Sequence, residues 1–476
     1  MAYRYGDRHS RILFPASLEE YVSESDPVRV YDAFVDSLDF DALGISVKEH
    51  QVGAPPYDPC AMLKLLVYGY SYGVRSSRKF ERACYHNLSF IWLVGGLKPD
   101  YKTISEFRRN NRQALQKVLN QCARLCMKLG LIEGNVLFLD SSKMRANASI
   151  DKTWTPEKCE KYLEKLDEKI EELLCACDII DDLEKDSESL VKLKEELSGK
   201  EKLRGKVKGI LSELEEKGSK SLNSTDSDCV NTKGRQGTHA SYTANIVTDE
   251  KNGLIVNSEV VSQSNDTNQF SSQIGEAEKV TGKKSQTACA DSGYSQVEDL
   301  EKISSRGTQV VVPNKKQAKN KKAGEFDKEN FNYDEERDEY TCPEGNRLKF
   351  KRIVEKDKCR EYRIESSRIC LNCKHYGVCT KGKRGRTISR LFNEKLKDEL
   401  AELYESEEGQ RVYSLRKQKV ELPFGFIKRN LGAGYFLLRG REGVNGEMSL
   451  LSTSFNISRM INLLGISPLL TFLGGT

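Results

Sequence analysis

The sequence predicts a mixed α/β protein that is interrupted by insertions. Between residues 131 and 315, apolar runs of strand length alternate with segments that carry apolar side chains at helical spacing. The first 130 residues have helical spacing throughout, and a stretch rich in Glu, Lys and Leu follows residue 150. At 476 residues the chain is long enough for two or three domains.

The composition is ordinary for a protein with a buried core, with 38% hydrophobic and 31% charged residues. The net charge of +5 is small, but lysine and arginine are concentrated in residues 315–390, which form either a phosphate-binding surface or a solvated basic face. The first fifteen residues lack the apolar core of a signal peptide, and residues 460–473 are too short and broken to span a membrane. The scattered cysteines favour reduced, intracellular thiols.

Residues 1–130 are predicted to form a helical domain. Pro55-Pro56 is a turn signal before a helical segment that starts at Ala61, and Gly95-Gly96 ends that segment. A second helix, capped by Asp100, has a basic face. This domain could bind DNA or be purely structural, and composition does not distinguish the two. The candidate DNA contacts are five arginines: Arg75, Arg78, Arg82, Arg108 and Arg109.

A strand that covers Val136 to Leu139 is predicted to end at Asp140, after which come Ser141 and Ser142. Residues 151–237 are predicted to form a helical or coiled-coil insertion, because opposite charges stand three or four residues apart around apolar positions. Its role is expected to be architectural.

Residues 238–315 restore the α/β pattern. Asn252-Gly253 between two β-rich runs predicts a hairpin, and residues 266–282 read as a helix. A short strand then ends in Asp291, residues 295–306 read as another helix, and TQVVVPN reads as a core strand.

Asp140 and Asp291 therefore stand in equivalent settings, each at the end of a predicted strand. Ligands of α/β sheets gather at the carboxyl ends of strands, so the two carboxylates could converge on one site. Close carboxylates repel each other unless a cation neutralises them, and hard oxygen ligands favour Mg²⁺ or Mn²⁺. Two aspartates alone are weak evidence, because any α/β protein offers several.

The third element is YSLRKQKVELPFGFIK, residues 413–428. Glu421 and Lys428 are seven residues apart, so on one α-helix they share a face within about 20°. Arg416 does not share that face unless Pro423 starts a new helical turn. An amphipathic helix with surface charges remains the alternative.

Five cysteines lie in a basic insertion predicted for residues 316–392. Cys370 and Cys373 form a CxxC motif, and Cys342 and Cys379 would complete four sulfur ligands for tetrahedral Zn²⁺. Cys359 is the fifth. Free thiols in a loop are the alternative. The five histidines of the chain support no histidine-based catalytic site.

The order of LFLDSS, ADSGYS and Tyr-x2-Arg-x4-Glu-x6-Lys resembles the DDE transposases of bacterial insertion sequences. More narrowly, it resembles the group with a Tyr-Arg-Glu-Lys signature, which Tyr413, Arg416, Glu421 and Lys428 match with one extra residue between Arg and Glu. The resemblance covers nearly the whole chain, since three further segments and the Cys-rich insertion are also similar: GAPPYDPCAMLKLLVYGYSYGVRSSRKFER, PDYKTISEFRR and NDTNQF.

The resemblance implies a ribonuclease-H-like catalytic core formed by residues 131–150 and 238–315 and completed by the C-terminal helices, residues 393–476. Asp140, Asp291 and Glu421 would be its metal-binding triad, with Glu447 as the fallback third carboxylate. Arg416 and Lys428 would contact phosphates, and Tyr413 would position the DNA strand. Ser141-Ser142 departs from the Gly-Thr that many relatives have after the first aspartate.

The implied activity is cleavage of DNA at the ends of an insertion sequence and joining of the 3′-hydroxyl ends to target DNA, with two Mg²⁺ or Mn²⁺ ions. The expected partner is double-stranded DNA, bound by at least a dimer, in the bacterial cytoplasm and in association with the nucleoid. Two alternatives remain open: a metal-dependent nuclease without strand transfer, and a non-catalytic DNA-binding protein derived from a transposase.

Overall fold

The computed structural model describes residues 17–45, 56–182, 187–234, 237–263, 267–319 and 324–474, without the side chains of residues 178–190 and 357. The predictions made for the first fifteen residues, for Pro55 and for Asp266 lie outside these ranges. Backbone contacts divide the chain into two units. The first unit contains Met1–Glu133, Ser141–Asn265 and Val420–Thr476, and the second contains Gly134–Asp140 and Asp266–Lys419.

The N-terminal part of the first unit is helical, as predicted. Asp58 and Asp100 begin two of its helices by accepting hydrogen bonds from backbone N–H groups of the first turn. The third helix, α3, is apolar on most sides and forms the centre of this region. The helices are α1 (Val28–Asp36), α2 (Phe40–Leu43), α3 (Pro59–Ser71), α4 (Ser77–His86), α5 (Leu88–Leu93), α6 (Tyr101–Asn110) and α7 (Arg112–Lys128).

The first strand, β1 (Val136–Arg145), is longer than predicted. The prediction that it ends at Asp140 is wrong, because the chain stays extended for five more residues. Met144 in this extension is buried while its neighbours Lys143 and Arg145 are exposed. This alternation anchors the second half of β1 to the core of the first unit.

The predicted helical insertion is a pair of long helices. They are α8 (Pro156–Asp182) and α9 (Ser187–Glu216), and they share a small core of Cys159, Val207, Leu214 and Leu222. A two-stranded ladder of β2 (Thr153–Trp154) and β3 (Leu222–Asn223) pairs the two ends of this segment. The insertion is thus closed at its base by its own hydrogen bonds.

Three antiparallel strands follow: β4 (Val230–Gly234), β5 (Gly237–Asp249) and β6 (Ile255–Val261). β4 belongs to the sheet, although the sequence analysis assigned its residues to the insertion. The predicted β5–β6 hairpin is present, and Gly253 in its turn has a φ of +66°, a conformation that favours glycine. β5 also lies beside β1 in the sheet.

The second unit contains the parallel part of the predicted α/β pattern. The first residues of β1 pair in parallel with β7 (Thr287–Cys289), which pairs in parallel with β8 (Gln309–Val311). The predicted helices are α10 (Phe270–Thr281) and α11 (Val297–Ser304). Parallel and antiparallel pairs together make a mixed sheet, as predicted.

The Cys-rich region also belongs to the second unit and forms a five-stranded antiparallel sheet, which the sequence analysis did not predict. A cluster of six buried side chains forms its core: Phe331, Tyr340, Leu348, Tyr362, Ile364 and Ile388. Its elements are β9 (Asn332–Asp334), β10 (Glu339–Thr341), β11 (Arg347–Val354), β12 (Cys359–Ile364), α12 (Ser367–Leu371) and β13 (Thr387–Leu391).

Helices return after β13, as predicted: α13 (Glu394–Glu405), α14 (Glu407–Gly425), a π-helical turn (Phe426–Asn430), α15 (Arg441–Leu464) and α16 (Ile466–Leu473). In the first unit, α15 packs closely on α7, where a Cβ at Gly446 would lie 3.4 Å from the Arg112 carbonyl oxygen. Among the described residues, no helix is both long enough and apolar enough to cross a membrane.

A buried carboxylate, Glu394, joins α13 to the Cys-rich sheet. Lys328 and Lys397 lie 2.7 and 2.8 Å from its oxygens, and the Leu391 N–H donates to it at 2.9 Å. Burial alone would raise the pKa of Glu394, but these donors outweigh it and lower the pKa from 4.5 to about 2. A lowered pKa stabilises the fold above pH 4.5, and this stabilisation is lost as the pH falls towards 2.

We predict that Glu394→Gln lowers the free energy of unfolding at pH 7 by about 1–3 kcal/mol, because Lys328 loses its buried anionic partner. It also makes stability less dependent on pH between 5 and 2. Urea unfolding at several pH values measures both effects. Glu399→Gln, at an exposed position of the same helix, is the matched control. Equal behaviour of the two variants would contradict the prediction.

Candidate active site

Asp140 lies within β1, and Asp291 follows the end of β7, the parallel strand beside it. The prediction that this second strand ends in Asp291 is wrong by two residues. The last paired residues of β1 and β7 are Phe138 and Cys289, and each aspartate comes two residues later in the chain. Adjacent strands are about 4.8 Å apart, so this register brings the two aspartates near each other. Asp291 also begins a short helical turn, and its carboxylate accepts a hydrogen bond of 2.9 Å from the Gly293 N–H.

Arg416 of α14 is the cation that faces this pair. Its Nη1 atom lies 3.5 Å from an Asp140 carboxylate oxygen, and only 15% of its side chain is exposed. Burial by itself would lower the pKa of Arg416, but the carboxylates of Asp140 and Asp291 outweigh it and raise the pKa. The second unit thus brings together two carboxylates and one guanidinium.

Tyr413 lies one helical turn before Arg416. The Arg416 guanidinium stands 5.6 Å from the centre of the Tyr413 ring, and this ring packs edge-on against Tyr404 at 5.1 Å. Burial raises the pKa of the Tyr413 hydroxyl. Burial also raises the pKa of Cys289, on the strand that leads to Asp291, to about 12, so this thiol is not a nucleophile at neutral pH.

Lys428 is held in the first unit by β1. Its ammonium group donates a hydrogen bond to the Ser142 hydroxyl, and a longer one of 3.4 Å to the Lys143 carbonyl oxygen. The sequence did not predict this contact, although the Ser141-Ser142 pair is unusual. Strand alternation could have indicated it, because residues two apart, such as Asp140 and Ser142, lie on the same face of β1.

Glu421 is exposed near the end of α14. The prediction that Glu421 and Lys428 share one face required a single continuous α-helix. That prediction is wrong, because α14 ends at Gly425 and a π-helical turn follows. Pro423 lies inside α14 rather than starting a new helix, and the backbone changes to a π-helical turn at Phe426. Proline lacks the N–H of the regular helix, and the wider π turn rotates Lys428 away from the position that an α-helix would give it.

The donor chemistry of the aspartate pair fits a hard divalent cation. Asp140 and Asp291 offer carboxylate oxygens, the ligands that Mg²⁺ and Mn²⁺ prefer. The Arg416 Nη1 atom is buried beside them and has no hydrogen-bond partner among the described residues. In the part of the chain that the structure describes, no three or more His, Cys, Asp or Glu side chains form a metal-binding group. The assignment of Glu421 as a third metal ligand therefore rests on the sequence motif.

The arginines predicted to contact DNA fall into two groups. Arg78 and Arg82 are exposed one turn apart on α4, and Arg109 is exposed on α6. Arg75 and Arg108 are each only 5% exposed. Burial excludes both of these guanidinium groups from phosphate contacts in this fold.

Arg75 and Glu447 form a buried ion pair in the first unit. The Arg75 guanidinium lies 3.0 Å from the Glu447 carboxylate and donates to the carbonyl oxygens of Gly432 and Tyr435, both at 2.8 Å. Arg108 donates to the Arg75 carbonyl oxygen at 2.7 Å. These side chains hold backbone segments together.

Glu447 was the fallback third carboxylate, and its surroundings speak against that role. It is fully buried, and it accepts hydrogen bonds from the N–H groups of Leu437 and Leu438 at 2.9 and 3.0 Å. Burial raises its pKa despite these donors and Arg75. Its oxygens are thus occupied within the core of the first unit.

The predicted zinc ligands border a common space, although no three or more His, Cys, Asp or Glu side chains of the described residues are arranged to hold a metal ion. Cys342, Cys370, Cys373 and Cys379 line one small cavity in the Cys-rich sheet, whereas Cys359 is buried in β12 and does not line it.

Comparison with known families identifies two matched regions. A transposase domain (DUF772) matches residues 16–110, and a transposase DDE domain matches residues 341–461. The second region contains Tyr413, Arg416, Glu421 and Lys428, whereas Asp140 and Asp291 lie outside it. No curated protein and no solved structure gives a significant match.

Both matched domains are those of transposases, so two separate regions of the chain are similar to proteins of this class. The two matches support a DDE-type transposase of an insertion sequence, as the sequence motifs indicated.

We predict that Arg75→Ala lowers the free energy of unfolding by about 3–5 kcal/mol, because it leaves Glu447 buried without its cation. Arg82→Ala, which removes an exposed arginine, changes stability by less than about 0.5 kcal/mol. Denaturant unfolding of both variants measures the difference. An Arg75→Ala protein as stable as the parent would show that the buried pair is not structural.

Proposed function

We propose that this transposase cleaves DNA at the ends of its own insertion sequence and joins the freed 3′-hydroxyl ends to target DNA. One observation carries the proposal: Asp140 and Asp291 each come two residues after the last paired residue of two parallel strands, and both act on a buried arginine. Two neighbouring carboxylates suit the chemistry of divalent cations. The mixed sheet around them supports a ribonuclease-H-like core.

In the proposed site, Asp140, Asp291 and Glu421 would hold Mg²⁺ or Mn²⁺. When bound, two such ions would activate the attacking hydroxyl and stabilise the leaving oxygen in an in-line displacement at phosphorus. Glu421 is assigned by its place in the motif. The same carboxylates serve both steps, with water as the first attacking group and the 3′-hydroxyl as the second.

The basic residues of the signature then bind the DNA backbone. Arg416 neutralises the two aspartates in the absence of DNA, and we infer that it turns towards a phosphate oxygen once metal ions supply the positive charge. Lys428 contacts a second phosphate from its position against Ser142. Tyr413 presents a ring beside which a nucleotide can be positioned.

Exposed Arg78, Arg82 and Arg109 are proposed to add contacts to phosphates of the element end. Such contacts release counterions, so binding should weaken steeply with salt concentration. Joining two ends to one target requires at least a dimer on DNA, and we place the protein in the bacterial cytoplasm in association with the nucleoid.

The test is incubation of the full chain with labelled element-end DNA, a second duplex and Mg²⁺. We predict cleavage and joining by the parent protein, and a loss of cleavage of at least about 1000-fold in Asp140→Asn and Asp291→Ala. DNA binding and folding should persist in both variants. Asp41→Asn, which removes an exposed charge from α2, should retain activity.

The other possible outcomes of this incubation each favour a different interpretation. Cleavage without joining would favour the metal-dependent nuclease. Binding without cleavage by the parent protein would favour a non-catalytic DNA-binding protein. Parental cleavage by Asp140→Asn would overturn the assignment of the site.

We also predict that Ser142→Ala impairs the same step as Lys428→Ala, because Ser142 positions the Lys428 ammonium group. Loss of one phosphate contact should reduce the slope of log K against log salt by about 0.9 in Lys428→Ala. Ser142→Ala should give part of that reduction and about a tenfold loss of cleavage. Ser142→Thr, which keeps the hydroxyl, should restore function.

A double-mutant cycle distinguishes this role from a general structural one. The effects of Ser142→Ala and Lys428→Ala should be strongly non-additive, whereas those of Ser141→Ala and Lys428→Ala should add. Additive effects in both cycles would refute the positioning role of Ser142.

A further inference from the structure

Four cysteines from two separate segments of the second unit line one small cavity. Cys342 follows β10, while Cys370, Cys373 and Cys379 lie between β12 and β13. The cavity has a volume of about 30 Å³. A space of this size suits a small ion rather than an organic ligand.

Backbone N–H groups contact two of these sulfur atoms. The Asn346 N–H donates to the Cys342 sulfur, and the Arg386 N–H donates to the Cys370 sulfur, both at 3.4 Å.

Gly385 allows the second turn to approach Cys370. It has a φ of +81°, and a Cβ at this position would overlap the Ile364 side chain and lie 3.4 Å from the Cys370 sulfur. The close packing of backbone against this thiol therefore requires glycine here.

The Cys-rich sheet has few other sources of stability. Six side chains form its buried cluster, and Cys342, Cys370 and Cys379 are packed against that cluster. The described cysteines are all free thiols, so no disulfide among them braces the turns. Small folds with such limited cores are commonly stabilised by a structural metal.

Four thiolates close together repel one another, so the four sulfurs can bind as thiolates only if a cation lies among them. Among the described residues, no group of three or more His, Cys, Asp or Glu side chains is arranged to hold a metal ion, so zinc binding requires the cysteine side chains to turn towards the cavity.

We propose that Cys342, Cys370, Cys373 and Cys379 bind one Zn²⁺ ion that holds the two turns of the Cys-rich sheet together. A set of four sulfur ligands fits the tetrahedral preference of zinc, and four protein ligands leave no position for a reacting molecule. His375 also lines the cavity, and its Nε2 atom is paired with the Glu344 carboxylate at 3.0 Å. The site is structural and independent of the proposed DNA chemistry.

The test is the zinc content of the full-length protein purified without chelators. The expected result is about one zinc per chain in the parent and in Cys359→Ser, and much less in Cys373→Ser. Cys359 is the matched control, because it is a buried cysteine of the same sheet that does not line the cavity. Equal zinc in both variants, or none in the parent after exposure to Zn²⁺, would overturn the proposal.

A second measurement covers the case in which Cys373→Ser does not fold. Chelator-treated parent protein is titrated with Co²⁺, whose tetrahedral thiolate complexes absorb visible light, and Zn²⁺ is then added in competition. The expected result is saturation at about one Co²⁺ per chain with loss of the absorption on addition of Zn²⁺. An absence of thiolate absorption would refute the four-sulfur site. Neither measurement depends on DNA cleavage.

Discussion

The first unit depends on one buried ion pair, between Arg75 and Glu447. Two charges removed from water stabilise a fold only if their remaining hydrogen-bonding groups are also satisfied. Here the backbone meets that demand, since Glu447 accepts two N–H groups and Arg75 donates to two carbonyl oxygens. The pair therefore fixes the path of the chain between the π-helical turn and α15, and Lys428 lies in that turn.

Arg416 shows the opposite use of a buried arginine. It faces two carboxylates without a matched set of hydrogen bonds, and its Nη1 atom has no such partner within the described ranges. Arg75 and Arg416 are thus the same residue type in two different surroundings: backbone carbonyl oxygens accept hydrogen bonds from Arg75, whereas Arg416 faces carboxylates.

Features that depend on neighbouring residues in the chain could be predicted from the sequence. The Asn252-Gly253 hairpin, the paired insertion helices and the alternation of strands and helices after residue 266 all follow from local periodicity and turn chemistry. The five-stranded sheet was missed because its short strands bury few side chains, so they carry little periodic signal.

Some residues of the candidate site could be predicted from the sequence and others could not, for the same reason. Asp140 and Asp291 were found because each follows an apolar run. The sequence could not reveal that Arg75 is buried, because a basic residue between two helices gives the same pattern in water and in a core. The contact of Lys428 with Ser142 and the π-helical turn both depend on packing between segments distant in the chain.

The short ladder at the base of the long insertion has a consequence for folding. Thr153 pairs with Asn223, so the two ends of the insertion are held side by side. The entropy lost on closing a loop depends on how much flexible chain lies between its ends. Once α8 and α9 have formed their hairpin from local contacts, β1 and β4 are joined by a short connection, although many residues separate them in the chain. The insertion can therefore vary in length without slowing assembly of the sheet.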